Sequence, residues 1–227
     1  MIRVTENLKA VRETVRNAAK VAGRAPAEVG LLAVSKRHPV AAIQQAIDAG
    51  QCDFGENYVD EGVAKIRELA RKSLVWHYIG ALQSNKTRAV ATHFDWVHTI
   101  DRPKIAQRLN DQRPADLGPL QVCIQVNIDN EPQKAGVSPE AAHPLAEIIE
   151  RLPRLQLRGL MCLPATREHE TDQRVPFREL CALQTAMSAN YPSMDTLSMG
   201  MSGDLSAAIA EGSTLLRVGT AIFGPRP

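Results

Sequence analysis

A strand-then-helix cadence, with eight strands in 227 residues, constrains this chain more than any other feature of its sequence. The strand-like runs fall at 31–35, 52–54, 75–79, 96–100, 120–128, 155–161, 196–199 and 215–218. They are short, rich in leucine or β-branched residues and alternate little, as strands do when both faces of a parallel sheet are covered. Between them apolar residues recur at three- and four-residue steps. Val40, Ile43 and Ile47 make one stripe between Pro39 and Gly50, and Val59, Val63 and Ile66 make the inward stripe of a helix over 57–69. A weakly periodic helix spans 84–93. Asp101 is placed to cap the next, with Pro103 in its first turn and Ile105 and Leu109 inward. Further helices are predicted from Ser138, over 171–189 and over 204–210.

Eight such units predict a (β/α)8 TIM barrel, one domain over residues 1–227. Every predicted strand is followed by a helix except the last. An extra N-terminal helix, with Leu8, Val11, Val15, Ala18 and Ala22 on one face, can take the missing place, because first and last strands are neighbours in a closed barrel. A doubly wound open sheet is the alternative that periodicity leaves standing.

Composition narrows the function classes. The net charge is +2 with arginines and lysines scattered, so nucleic acid and anionic membranes are not expected partners. No apolar run reaches membrane-spanning length and no signal-peptide core opens the chain, which suits a cytoplasmic protein. Cys52, Cys123, Cys162 and Cys181 are far apart and read as reduced core residues. The six histidines show no HxH or HExxH spacing, so no metal site is expected. The near-neutral surface favours a monomer.

In such a barrel, sites form at the carboxyl ends of the strands. Lys36 closes the first strand. A partly buried amine there has a lowered pKa and is a nucleophile toward carbonyls, although the same placement also suits a strand that simply exits to water. Ser202-Gly203 and Gly219-Thr220 follow the seventh and eighth strands, the two loops that most often hold a phosphate in these barrels. Asp204 suits a helix start but would repel a phosphate, so its side chain is expected to face outward. Arg217 lies within the last strand. Pointing inward it can donate to a ring nitrogen or a carboxylate; pointing outward it makes an ion pair with a helix. An amine at one strand end and an anion cup at two others describe a site for a phosphorylated aldehyde: pyridoxal 5′-phosphate as a Schiff base on Lys36, or a sugar phosphate.

The runs AVSKRHP, FGENYVDEGVAKI, WHYIGALQSNKTR, LSMGMSGDLSAAIAEGST and RVGTAIFG resemble those of the YggS/PROSC family, the pyridoxal phosphate homeostasis proteins, from about Leu8 to Gly224. The resemblance implies a barrel like the N-terminal domain of alanine racemase, with pyridoxal phosphate on Lys36 and its phosphate around Ser202, Gly219 and Thr220. It implies Arg217 at the pyridine nitrogen, and Asn57 and Met201 lining the pocket. Lys134 matches a family lysine associated with cofactor transfer. Two departures stand out. The sequence reads to Pro227 without the short lysine-bearing tail of some relatives, and Gly203 replaces a residue that relatives often carry, which loosens the loop while keeping its backbone donors.

The function implied is a carrier that buffers pyridoxal phosphate without turnover, with apo forms of enzymes that use the cofactor as candidate acceptors. An amino-acid racemase or lyase is the alternative. Racemisation requires a second acid/base on the face opposite Lys36, and the chain offers only Tyr58, Tyr78 and Tyr191.

Overall fold

A computed structural model describes residues 3–71 and 73–225. Eight parallel strands close into a barrel in chain order: β1 (Gly30–Val34), β2 (Asp53–Glu56), β3 (Val75–Tyr78), β4 (Trp96–Ile100), β5 (Leu120–Val126), β6 (Leu155–Cys162), β7 (Thr196–Ser198) and β8 (Leu215–Val218). The open sheet is excluded by the pairing of β1 with β8, which runs from Gly30 opposite Leu215 to Ala33 opposite Val218. The helices are α1 (Val4–Val21), α2 (Val40–Asp48), α3 (Val59–Leu69), α4 (Thr87–His93), α5 (Pro103–Gln112), α6 (Pro139–Glu150), α7 (Glu170–Ser188), α8 (Leu205–Ala210) and α9 (Thr220–Phe223).

The last strand does have its helix, the single turn α9. It is too short to cover the sheet, and α1 completes the layer by packing against α9, α8 and α2. Val4, Leu8, Val11, Val15 and Ala19 bury the inner face of α1. Arg24, just past α1, donates to the carbonyls of Ile209 (3.0 Å) and Ser213 (2.7 Å), and Asn7 donates to that of Ile222 (3.0 Å). An amphipathic helix far away in sequence thus substitutes for a missing one.

Three local expectations change. β5 stops at Val126 because the chain folds back beside it: the Asn127 N–H donates to the Val137 carbonyl (2.8 Å) and the Val137 N–H to Gln125 (2.9 Å). Asp101 does not cap α5; its carboxylate pairs with Arg102 (2.7 Å), and Pro103 alone pre-sets the first turn. Cys123 and Cys162 are buried in β5 and β6 and Cys181 is half-buried, but Cys52 is exposed, because it lies on the loop entering β2 rather than in the strand.

The main core lies between sheet and helices. The barrel interior is divided. Leu32, Val34, Ile79 and Leu215 form its apolar part, whereas His77, His98, Ser198 and Arg217 are buried polar residues on β3, β4, β7 and β8. No helix of the described residues is long and apolar enough to cross a membrane, and no cluster of potential metal ligands occurs among them.

If α1 is an integral part of the outer layer, Leu8→Ala should destabilise the fold by about 3 kcal/mol, the typical cost of a cavity at a fully buried leucine. Urea unfolding checks this; a loss below about 0.5 kcal/mol, the range of a surface substitution, would mean that α1 is only loosely attached.

Candidate functional site

Beyond β1 the residues Ser35 to His38 form a turn closed by the His38 N–H to the Ser35 carbonyl (3.0 Å). Lys36 occupies this turn, two residues past the strand, and is half-buried. Arg37 follows in the left-handed region at φ 62°, a conformation that costs a non-glycine residue on the order of 1 kcal/mol. Its N–H donates to Glu61 (2.6 Å), its guanidinium donates to the Tyr58 hydroxyl (3.1 Å), and the His38 ring stacks on Phe223 of α9 with centroids 5.2 Å apart. The turn is therefore held from both flanks.

A buried charge cluster lies against it. Glu56, at the end of β2, accepts through Oε1 from the Ser35 hydroxyl (2.6 Å) and from Lys65 Nζ (2.8 Å). Lys65 also donates to the Ser35 carbonyl (2.8 Å) and to Glu61 (2.6 Å). Burial raises the Glu56 pKa above its ordinary 4.5, outweighing Lys65 and the two hydrogen bonds, and the second oxygen, Oε2, is buried with no hydrogen-bond partner. To deliver Lys65, α3 turns from the expected stripe: Val59, Gly62 and Lys65 are buried, while Val63 and Ile66 are half-buried.

At the carboxyl end of the barrel a cavity of about 300 Å³ is lined by Lys36, Asn57, Met201, Ser202, Gly203, Arg217, Gly219 and Thr220, with Val34, Ile79, Met161 and Leu163 as its apolar lining. All seven residues expected from the sequence to form a site meet there. Arg217 points inward and is buried. It donates to the Ser198 carbonyl, to Ser198 Oγ (2.7 Å) and to the Cys162 carbonyl (2.8 Å). Asn57 is placed by a close approach of backbone to backbone, since a Cβ on Gly80 would lie 2.1 Å from the Asn57 carbonyl oxygen. Asn57 Oδ1 is buried without a hydrogen-bond partner.

The two stretches expected to hold an anion differ in detail from expectation. Gly200, at φ 93°, turns the chain out of β7, where a Cβ would come within 2.5 Å of Ala208. The residue capping α8 is Asp204, as its placement at a helix start suggests. Its side chain does not face outward: Oδ1 accepts the Met201 N–H at 2.6 Å, occupying one backbone donor and leaving Ser202 and Gly203 on the exposed side of the turn. Burial raises the Asp204 pKa. In α9 the first internal bond runs from the Ile222 N–H to the Gly219 carbonyl (2.9 Å), so the amides of Thr220 and Ala221 precede the helix ladder. Both helices are too short for much dipole, and the amides and hydroxyls are the available donors.

Lys134 lies in the loop after β5, paired with Glu131 (2.5 Å) and donating to the carbonyl of Leu163 (3.2 Å), a cavity residue; it does not itself line the cavity. The sequence end at Arg226 and Pro227 lies outside the described residues. Sequence reasoning missed Ser35, Glu56, Lys65 and Ser198. Glu56 lay inside a recognised motif, and a lysine two turns into a helix gives no sign that it turns inward.

The Glu56 carboxyl gives a pH signature. A raised folded pKa means that the native state holds the proton more tightly, so this contribution to stability is complete below 4.5 and is lost as pH rises through the folded pKa. Glu56→Gln should remove that decline, and its unfolding free energy should gain on the wild type across the window. Parallel stability curves for the two proteins would contradict the raised pKa.

Comparison with known proteins adds to this geometry. Residues 7–227 match the family model of the alanine racemase N-terminal domain. The pyridoxal phosphate homeostasis protein of Escherichia coli K12 is 54% identical, over 98% of this chain and 97% of its own. That of Vibrio alginolyticus is 53% identical over 100% and 99%. PipY of Synechococcus elongatus PCC7942, solved with PLP bound, is 36% identical, with a TM-score of 0.85 over 98% of this chain and all of its own. An alanine racemase of Clostridium difficile 630 shares the fold alone, at 13% identity and a TM-score of 0.74, and this chain covers 57% of it. On this likeness over nearly the whole length, the chain belongs to the family of pyridoxal phosphate homeostasis proteins, built on the alanine racemase N-terminal domain.

Proposed function

We propose that residues 1–227 form one domain that binds pyridoxal 5′-phosphate and serves as a carrier and buffer of that cofactor, without substrate turnover. The observation that carries this reading is the meeting, in one cavity, of the Lys36 amine, the Arg217 guanidinium and the Ser202 and Thr220 hydroxyls. The residues fit the group. The cavity, about 300 Å³, is at the small end of ligand sites. It offers a donor-only guanidinium, an orphaned buried acceptor at Asn57 Oδ1, and hydroxyls on its more open side.

When bound, pyridoxal phosphate supplies an electrophilic carbonyl carbon conjugated to its ring. Lys36 is the nucleophile toward that carbon, and the turn that carries it is held by Glu56, Lys65 and Glu61 so that its amine stays at the cavity. Ser202 and Thr220 donate hydroxyls to the phosphate, with the adjacent amides. Gly219 leaves room beside Val34, whose carbonyl oxygen lies 3.2 Å from the position of an added Cβ. Arg217 donates to the ring nitrogen and keeps it unprotonated, which weakens the ring as an electron sink. Asn57 and Met201 complete the lining.

The absence of turnover is supported by the state of the tyrosines. Tyr78 is buried, donates its hydroxyl to the Ala81 carbonyl (3.0 Å), and is pushed up to about 12 by burial. Tyr58 accepts from Arg37, and Tyr191 lies beside His143 at the far end of α7. None is placed to act as a second acid or base over the cavity. The relatives bearing the name pyridoxal phosphate homeostasis protein favour the same role. On this reading the protein works as a cytoplasmic monomer and hands its cofactor to apo-enzymes.

Borohydride reduction of the protein mixed with pyridoxal phosphate should add one pyridoxyl phosphate to the peptide bearing Lys36, and none to Lys36→Ala. Amino acids should show no enzyme-like α-proton exchange in heavy water; such exchange would overturn the carrier role. Ser202→Ala combined with Thr220→Val should weaken cofactor retention at least about tenfold, since each removes a hydrogen bond to a charged group, while leaving the thermal midpoint within a few degrees. Unchanged affinity would refute the phosphate placement.

A further inference from the structure

The polar half of the barrel interior is not a scatter of buried groups but one continuous chain. Arg217 donates to Ser198 Oγ at 2.7 Å. Ser198 Oγ lies 2.7 Å from His98 Nδ1, His98 Nε2 lies 2.9 Å from His77 Nδ1, and His77 Nε2 lies 3.3 Å from Asp53 Oδ1. Ser198 and the two histidines are fully or almost fully buried, whereas the Asp53 side chain is 43% exposed at the opening residue of β2, at the opposite end of the barrel from the cavity. Trp96 stacks on His77 at 5.3 Å and is covered in turn by the Arg158 guanidinium at 5.0 Å.

Proton arithmetic gives this chain a direction. A carboxylate only accepts, so His77 carries its proton on Nε2. A neutral His77 then accepts at Nδ1, so the proton between the rings belongs to His98 Nε2. A neutral His98 accepts at Nδ1, so the Ser198 hydroxyl must donate to it. The hydroxyl oxygen is thereby left as an acceptor for Arg217, which can only donate. Burial lowers the pKa of both rings, and Arg217 opposes a charge on His98, so neutral imidazoles are consistent with the pattern.

We propose that Ser198, His98, His77 and Asp53 act as a positioning relay for Arg217, each donor pointing toward the Asp53 carboxylate, that fixes where the remaining guanidinium N–H groups face the cavity. The effect on ligand rests on the proposed reading of the site, in which Arg217 meets the ring nitrogen of pyridoxal phosphate. With its orientation set from behind, the guanidinium meets a ring acceptor without reordering, which lowers the entropic cost of binding. None of the four relay residues needs to touch the ligand.

The test has a ligand-free and a ligand-bound arm. Nitrogen-15 NMR of the protein alone should show His77 and His98 as neutral Nε2–H tautomers, with the Arg217 guanidinium protons protected from exchange. His98→Leu should release that protection, weaken binding of pyridoxal phosphate by about tenfold and shift the absorption maximum of the bound cofactor. His98→Gln presents an acceptor and a donor at nearly the imidazole spacing and should restore all three toward wild type. Either histidine found as the Nδ1–H tautomer or as imidazolium at neutral pH would overturn the relay. So would a folded His98→Leu with unaltered Arg217 protection, affinity and spectrum, or a folded His98→Gln no better than His98→Leu. If His98→Leu does not fold, Ser198→Ala takes its place, with the same expectation and the same refuting result. A wild-type protein that takes up no pyridoxal phosphate would overturn the proposed function instead, and the tautomers with the Arg217 exchange would still decide the relay.

Discussion

The parallel pairing of β1 with β8 is the interaction on which the rest of this structure depends. It joins a strand near the start of the chain to one near its end, with Leu32 opposite Arg217 and Ala33 opposite Val218. Closure abolishes the sheet edges and brings the turn carrying Lys36 beside the loop carrying Gly219 and Thr220. It also creates the interior in which Arg217 is enclosed. The outer layer follows from the same event: only when the ends meet is there a gap between α8 and α2 for α1 to fill.

Closure encloses charges at a cost. A buried guanidinium or carboxylate loses several kcal/mol of solvation unless hydrogen bonds replace it. Arg217 recovers this through two backbone carbonyls and one hydroxyl. Glu56 recovers part of it through Ser35 and Lys65, but one oxygen stays without a partner and its pKa stays raised. Arg217 lines the cavity, and Glu56 is bonded to Ser35, next to Lys36. A packed core would have been served better by apolar residues at these positions; Glu56 instead holds the turn that carries Lys36, and Arg217 presents its guanidinium to the cavity.

Much of this was legible in the chain. Strand existence and order follow from short apolar runs, and Lys36, Ser202, Gly219 and Thr220 were identifiable because barrel sites occupy strand ends. The detail failed where a side chain makes a choice among distant partners. Asp204 was expected to face outward but turns back to the Met201 N–H, a local alternative that charge repulsion alone does not reveal. Val63 and Ile66 yielded the buried side of α3 to Gly62 and Lys65, because Lys65 pairs with a carboxylate on β2. Asp101 preferred the adjacent Arg102 to a helix cap.

The sequence by itself determined the eight strands with their helices and, through its motifs, the family; it also named seven residues that closure of the barrel then brings to one cavity. Periodicity and motif are local properties that survive being written on a line. Tertiary structure alone decided that Arg217 points inward, that Lys65 takes the buried side of α3, and that His77, His98 and Ser198 connect Asp53 to Arg217. These depend on which face of each strand looks into the barrel and on the stagger between strands that never adjoin in sequence. Nothing short of closing the ring sets both.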